Sequence, residues 1–174
     1  MSIFKRIFGE SDKSAKENGI QRPEIEKLIT SEDKNKSIIE IDNFICKECV
    51  WGNELDKLTE PQKNFYYIQE LEREVNNGGF SLYFNNSSGA YAHETILSLK
   101  LIGAIKTADI LQSAIDQFPG KSVPIDRNER QEALEKIQEN VNEIWDKLDQ
   151  KFYAYDDDLN TLNIEYVRQN KDKF

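Results

Sequence analysis

The sequence DRNERQEALEKIQENVNEIWDKLDQ, residues 126–150, decides the fold class because its apolar residues recur with the period of an α-helix. At 100° per residue, one face of this helix carries Leu134, Ile137, Val141, Ile144, Trp145 and Leu148. Asp126, followed three residues later by Glu129, is typical of a capped helix start. The pattern predicts the longest helix of the chain, which ends near Gln150 and buries this apolar face.

The opposite face of the same helix carries an acidic stripe, formed by Glu132, Glu135, Glu139, Glu143 and Asp146. Asp156, Asp157 and Asp158 follow shortly afterwards and extend the negative charge. One interpretation is a surface that meets a basic protein. The other is an ordinary solvated helix face. The second is favoured by Lys136 and Lys147, which each lie four residues after a glutamate, at the spacing of intrahelical ion pairs.

A second strong helix signal lies upstream, at Thr59-Glu60-Pro61-Gln62. Thr59 and Gln62 have the spacing of a capping box, and Pro61 falls in the first turn, where its missing N–H costs nothing. Asn76-Asn77-Gly78-Gly79 is predicted to end this helix, because Asn and Gly tolerate the left-handed backbone of helix ends. The apolar run Phe80–Phe84 is then expected to form one or two further helical turns.

Apolar periodicity elsewhere predicts further helices, over Pro23–Ile29, Ser37–Trp51, Tyr91–Ile102, Ala104–Phe118 and Asp157–Gln169. Ser87 or Ser88 is expected to cap the helix that contains Tyr91, and an aspartate to cap the last one. No set of alternating strands is found. Residues 23–174 are therefore expected to form an all-α, single-domain bundle of about six to eight helices.

Residues 1–22 are expected to form an N-terminal appendage and linker. Met1–Phe8 is a short amphipathic stretch, which suits either a weak membrane or partner anchor or one helical turn docked on the domain. Eight residues bury too little surface for stable membrane anchoring by themselves. No apolar run approaches the roughly 20 residues that span a bilayer, and no secretory signal is visible, so we expect a cytoplasmic protein.

The chain carries 32 acidic and 23 basic side chains, a formal charge of −9. Direct nucleic-acid binding needs a basic patch, so this composition disfavours it and favours a basic protein as partner. Cys46 and Cys49 lie at C-x-x-C spacing, but with a single histidine, His93, Cys and His cannot complete a four-ligand zinc site. We predict core cysteines, no metal site, no cofactor and no catalytic residue.

One polar group at predicted helix ends leaves two interpretations open. It consists of Asn76, Asn77, Asp126, Arg127, Arg130, Tyr155 and Asp157. Arginine–carboxylate bridges among these residues would clip helix ends together. The alternative is a small-molecule or catalytic pocket near Asn76, Asn77, Asp126 and Arg127.

Two motifs, Glu74–Phe80 (EVNNGGF) and Tyr83–Gly89 (YFNNSSG), resemble the signature of the bacterial DNA-mimic-protein-19-like family. The resemblance extends over roughly residues 40–170 and includes Ile102–Ala104, Phe118-Pro119, Pro124–Arg127, Leu148-Asp149, Phe152-Tyr153, Asp157–Leu159 and Tyr166-Val167. It implies an all-helical fold. It also implies the activity of the named member, a dimer whose carboxylates imitate DNA phosphates and occupy a transcription factor's DNA-binding site.

The leading hypothesis is a non-enzymatic protein that binds a basic, DNA-binding partner through the acidic stripe and Asp156–Asp158, alone or as a homodimer. The alternatives are the polar pocket named above and an immunity-type binding protein that uses another, less charged face.

Overall fold

The computed structural model describes residues 21–174, so nearly all of the predicted N-terminal appendage lies outside the described residues. Within this range the chain forms seven α-helical segments and no strand, which confirms the all-α, single-domain bundle. The helices are α1 (Ile25–Leu28), α2 (Lys34–Glu48), α3 (Glu60–Asn85), α4 (Ala92–Ile102), α5 (Ile105–Ile115), α6 (Arg127–Tyr153) and α7 (Leu159–Gln169). Short 3₁₀ turns occupy Leu55–Lys57, Ser87–Tyr91, Pro119–Lys121 and Lys171–Lys173.

Helix α3 begins at the predicted capping box. The Thr59 hydroxyl accepts a hydrogen bond from the Gln62 amide, and the Thr59 N–H donates to the Gln62 side chain at 2.9 Å. The predicted end at Asn76–Gly79 is a kink instead, because Gly79 adopts φ +71° and ψ −174° and the helix then resumes. The Asp149 carboxylate accepts the Phe80 N–H at 2.9 Å and so starts the second part, Phe80–Asn85.

The other helix starts agree with the sequence in part. Asp126 caps α6 as predicted and accepts the N–H groups of Asn128 and Glu129. The predicted serine cap of α4 is wrong: Ser88 is buried and donates its hydroxyl to the Tyr83 carbonyl. Asp33 caps α2, which therefore begins three residues earlier than predicted.

The core surrounds α3, which packs against α2, α4 and α6. An aromatic cluster joins α3 to α6: the Phe84 ring lies 5.1 Å from Trp145 and 4.9 Å from Phe118, between ring centroids. The predicted apolar face of α6 is buried at Val141, Trp145 and Leu148, whereas Ile144 remains 39% exposed. Cys46 and Cys49 are fully buried, as expected of core cysteines.

Arg130 is the largest fully buried side chain. Its guanidinium donates to four backbone carbonyls, those of Phe84 (2.9 Å), Asn86 (3.0 Å), Pro124 (2.8 Å) and Ile125 (2.9 Å). The sequence led us to expect an arginine–carboxylate bridge, but in the described part of the chain the partners of Arg130 are carbonyl groups. The side chain joins the end of α3 to the loop that precedes α6.

Replacing Arg130 with Met removes the donors and leaves four carbonyls without their partner. We expect the free energy of unfolding to fall by about 3 kcal/mol or more, as measured by urea denaturation. The exposed neighbour Arg127 offers a matched control, since Arg127→Met should change stability by no more than about 0.5 kcal/mol. Equal unfolding midpoints for the two variants would contradict the role of Arg130.

Replacing Gly79 with Ala tests the kink in α3. Its φ/ψ values are essentially restricted to glycine, and an added Cβ would lie 2.2 Å from an Asp149 carboxylate oxygen. We expect a loss of roughly 2–4 kcal/mol in the same denaturation measurement. Gly103→Ala is the control, because Gly103 also has a positive φ but a Cβ there meets no atom within 4 Å. A smaller loss at Gly79 than at Gly103 would argue against the Asp149 contact.

Candidate partner-binding surface

The acidic stripe lies on the outer face of α6. All five carboxylates, those of Glu132, Glu135, Glu139, Glu143 and Asp146, are exposed. They follow one another at intervals of three or four residues, so each is about 5 Å further along the helix axis than the one before. They lie away from the buried face of α6, which carries Val141, Trp145 and Leu148, so none of them is packed in the core.

The intrahelical ion pairs expected for the stripe do not form. Lys136 and Lys147 are exposed at its border, and neither makes a salt bridge with Glu132 or Glu143. Nor does any other basic side chain within residues 21–174 pair with a stripe carboxylate. The stripe carboxylates therefore have no direct ion-pair partner in the described chain, and Lys136 and Lys147 stand at the border of the stripe.

The linear charge density of the stripe is close to that of one nucleic-acid strand. From Glu132 to Asp146 the helix rises about 21 Å, over which it presents five carboxylates. A single DNA strand carries roughly six phosphates over this length, and a duplex about twelve. The charge per unit length of the stripe therefore matches that of one DNA strand and is less than half that of a duplex.

Asp156–Asp158, the predicted extension of the stripe, are not equivalent. Asp157 is half-buried and accepts the Thr107 N–H (2.8 Å) and hydroxyl (3.0 Å), so it caps the first turn of α5. Asp158 caps α7, and its hydrogen bonds from Thr161 lower its pKa. Asp156 is exposed and lies 3.7 Å from the Lys106 ammonium group. Of the three, Asp156 has its carboxylate most available to a partner.

The predicted polar pocket does not assemble from the residues named for it. Asp126 and Arg127 begin α6, whereas Asn76 lies at its other end, where its amide donates to the Tyr155 hydroxyl at 2.7 Å. The two ends are separated by 27 residues of helix, roughly 40 Å along its length. In the VNNGGF motif, Asn77 and Gly78 are exposed at the kink of α3, and Gly79 and Phe80 are buried in it.

A smaller polar cluster surrounds Glu72 instead. The Tyr155 hydroxyl donates to the Glu72 carboxylate at 3.1 Å, and burial raises the pKa of that carboxyl group. A cavity of about 470 Å³ opens beside it, against the start of α7. The sequence singled out Asn76 and Tyr155 but not Glu72, which reads as an ordinary helix residue until the α6–α7 loop folds onto it.

The cysteine thiols and the histidine ring, the other groups with possible reactivity, make contacts typical of a structural role. Burial, with the nearby Asp42 as a smaller cause, raises the pKa of the Cys46 thiol to about 12, so it stays protonated at neutral pH. The His93 ring accepts the Val123 N–H at 3.3 Å. In the described range, no three His, Cys, Asp or Glu side chains are grouped closely enough to hold a metal ion.

Glu72→Gln should reveal the cost of the buried carboxylate. Folding raises the pKa of Glu72. The charged carboxylate therefore lowers the free energy of unfolding, an effect that is absent below the ordinary pKa of 4.5 and grows as the pH rises through the pKa of the folded state. We therefore expect the variant to have the higher urea midpoint at pH 7, with the difference closing towards pH 4. Parallel pH profiles for the two proteins would contradict this.

No described helix has the length and apolar character required to cross a bilayer.

No curated protein and no solved structure matches the chain at a significant level. The family model described as DMP19-like protein matches residues 56–170. This range begins just before α3 and ends just after α7. It contains the buried Arg130, the kink at Gly79 and the acidic stripe. On this match the chain belongs to the DMP19-like protein family.

Proposed function

We propose that this protein is a non-enzymatic binding protein whose acidic stripe occupies the DNA-contacting surface of a basic partner protein. The observation that carries the proposal is the row of five exposed carboxylates on α6, none of which takes part in a salt bridge of the described chain. Family membership is consistent with it, since the family takes its name from a DNA-mimic protein. Asp156 adds a further exposed carboxylate beyond the end of α6, which is partly neutralised by Lys106.

Electrostatics favour a basic partner over nucleic acid. The whole chain has a formal charge of −9, which repels phosphates and attracts a surface built to bind them. The stripe has the linear density of a single strand, so it is suited to replace one phosphate backbone rather than a whole duplex. Phosphate contacts supply much of the affinity of DNA-binding proteins without reading sequence, so a protein can compete for them without imitating bases.

A homodimer would carry two acidic stripes, and an exposed apolar patch on α4 and the start of α5 supports one. Leu97, Leu101 and Ile105 follow one another at four-residue intervals along α4 and the start of α5, and each is at least half exposed. Exposed apolar patches of this kind are common at protein interfaces. In the proposed dimer this patch faces its symmetry mate, which leaves the stripe on α6 free for the partner.

Neutralising the stripe tests the proposal. The variant Glu139→Gln, Glu143→Gln, Asp146→Asn removes three of its charges from exposed positions, so the fold should be retained. We expect the affinity for a basic partner captured from native extract to fall roughly tenfold to a hundredfold, as measured by titration at low salt. Wild-type binding should also weaken as salt is added, and duplex DNA should displace it.

The matched control changes the net charge equally at a distance from the stripe. Glu32→Gln, Glu40→Gln and Asp56→Asn also neutralise three exposed carboxylates, which lie just before α2, on α2 and in the 3₁₀ turn Leu55–Lys57. This variant should bind nearly as tightly as the wild type. Equal losses in the two variants would reduce the effect to net charge, and full affinity in the stripe variant would exclude the stripe as the binding surface.

A further inference from the structure

A small cavity opens beside the acidic stripe, between α6 and the second part of α3. Its volume is about 250 Å³, below the range of roughly 300–1,000 Å³ that holds drug-sized ligands. Leu134, Val141 and Trp145 supply its apolar walls. Glu135, a member of the stripe, stands at its edge with the amide side chains of Asn85 and Gln131. The size suits one side chain rather than a free small molecule.

The Trp145 wall of the cavity is fixed by contacts with the core. Trp145 is 3% exposed, its indole N–H donates to the Ala114 carbonyl at 3.2 Å, and its ring packs against Phe84. The position of the indole is therefore set by the core. Interfaces concentrate much of their affinity in a few well-packed, desolvated pockets that each hold one side chain.

The polar part of the cavity offers hydrogen-bond acceptors. The Gln131 amide nitrogen donates to the Asn85 backbone carbonyl (3.0 Å) and side-chain oxygen (2.9 Å), which orients its own carbonyl oxygen away from them. The Glu135 carboxylate takes part in no salt bridge of the described chain. Among the described side chains of residues 21–174, no lysine or arginine lines the cavity. The charge of the cavity is thus complementary to a cation.

We propose that this cavity receives a single arginine side chain of the basic partner, an inference that rests on the proposed function. The aliphatic stem packs against Leu134, Val141 and Trp145, while the planar guanidinium donates to Glu135 and to the Gln131 carbonyl oxygen. Arginine fits better than lysine because its forked donors reach two acceptors at once, and because a guanidinium sheds water more readily than an ammonium group.

Two peptide probes, octa-arginine and octa-lysine, test the proposal with equal charge and length. The chain has two tryptophans, so Trp51→Phe leaves Trp145 as its only fluorescent indole. At low salt we expect octa-arginine to bind about tenfold more tightly than octa-lysine, the effect of roughly one added charge-assisted hydrogen bond. Octa-arginine, but not octa-lysine, should shift the Trp145 emission.

Filling the cavity supplies the matched comparison. Ser81→Leu places an apolar side chain on its wall without changing charge, and Ser113→Leu makes the same change at an exposed site on α5. Ser81→Leu should abolish the preference for arginine and leave octa-lysine binding unchanged, whereas Ser113→Leu should alter neither. If Ser81→Leu does not fold by circular dichroism, Asn142→Leu fills the cavity from α6.

The outcomes separate the cavity from the stripe. Equal affinities for the two peptides, with no change in Trp145 emission, would overturn the arginine site and leave the acidic surface in place. A preference for arginine that survives both cavity-filling variants would also overturn it. Failure of both peptides to bind the wild type at low salt would count against the proposed function as well.

Discussion

The buried guanidinium of Arg130 is the interaction on which the placement of α6 depends. A positive charge inside a protein costs several kcal/mol unless its hydrogen bonds are satisfied, and here four carbonyls supply that satisfaction. The carbonyls belong to the end of α3 and to the loop before α6. These two segments, about forty residues apart in sequence, are held around one side chain. Gly89 packs so closely on the guanidinium that a Cβ there would lie 2.9 Å from its Nε.

Further along α6, the same type of contact recurs. The Trp145 indole donates to Ala114, the Asp149 carboxylate accepts the Phe80 N–H, and the Tyr153 hydroxyl donates to Val75. With Arg130, these bonds join α6 to backbone groups at points distributed along its length. A helix held in this way has little freedom to rotate about its axis. The acidic stripe is therefore held in one orientation, which in the proposed function lowers the entropy lost on binding.

The sequence was most informative where structure is decided locally. The capping box at Thr59 and Gln62 and the exposure of the stripe both follow from residues within a few positions of one another. The kink at Gly79 was expected as a helix end, because the carboxylate that restarts the helix, Asp149, lies 70 positions away. For the same reason, the cavity beside Glu135 and the cluster around Glu72 had no signal in the sequence: each is made by segments that meet only in the folded chain.

Helix α6 divides its residues between two tasks, and the division has an evolutionary consequence. Its inner face and its backbone-directed side chains carry the fold, while the five carboxylates contact nothing that the fold requires. Substitutions in the stripe can therefore accumulate at little cost in stability, one position at a time. Under the proposed function, the scaffold can be retained while the stripe follows the changing surface of a partner protein.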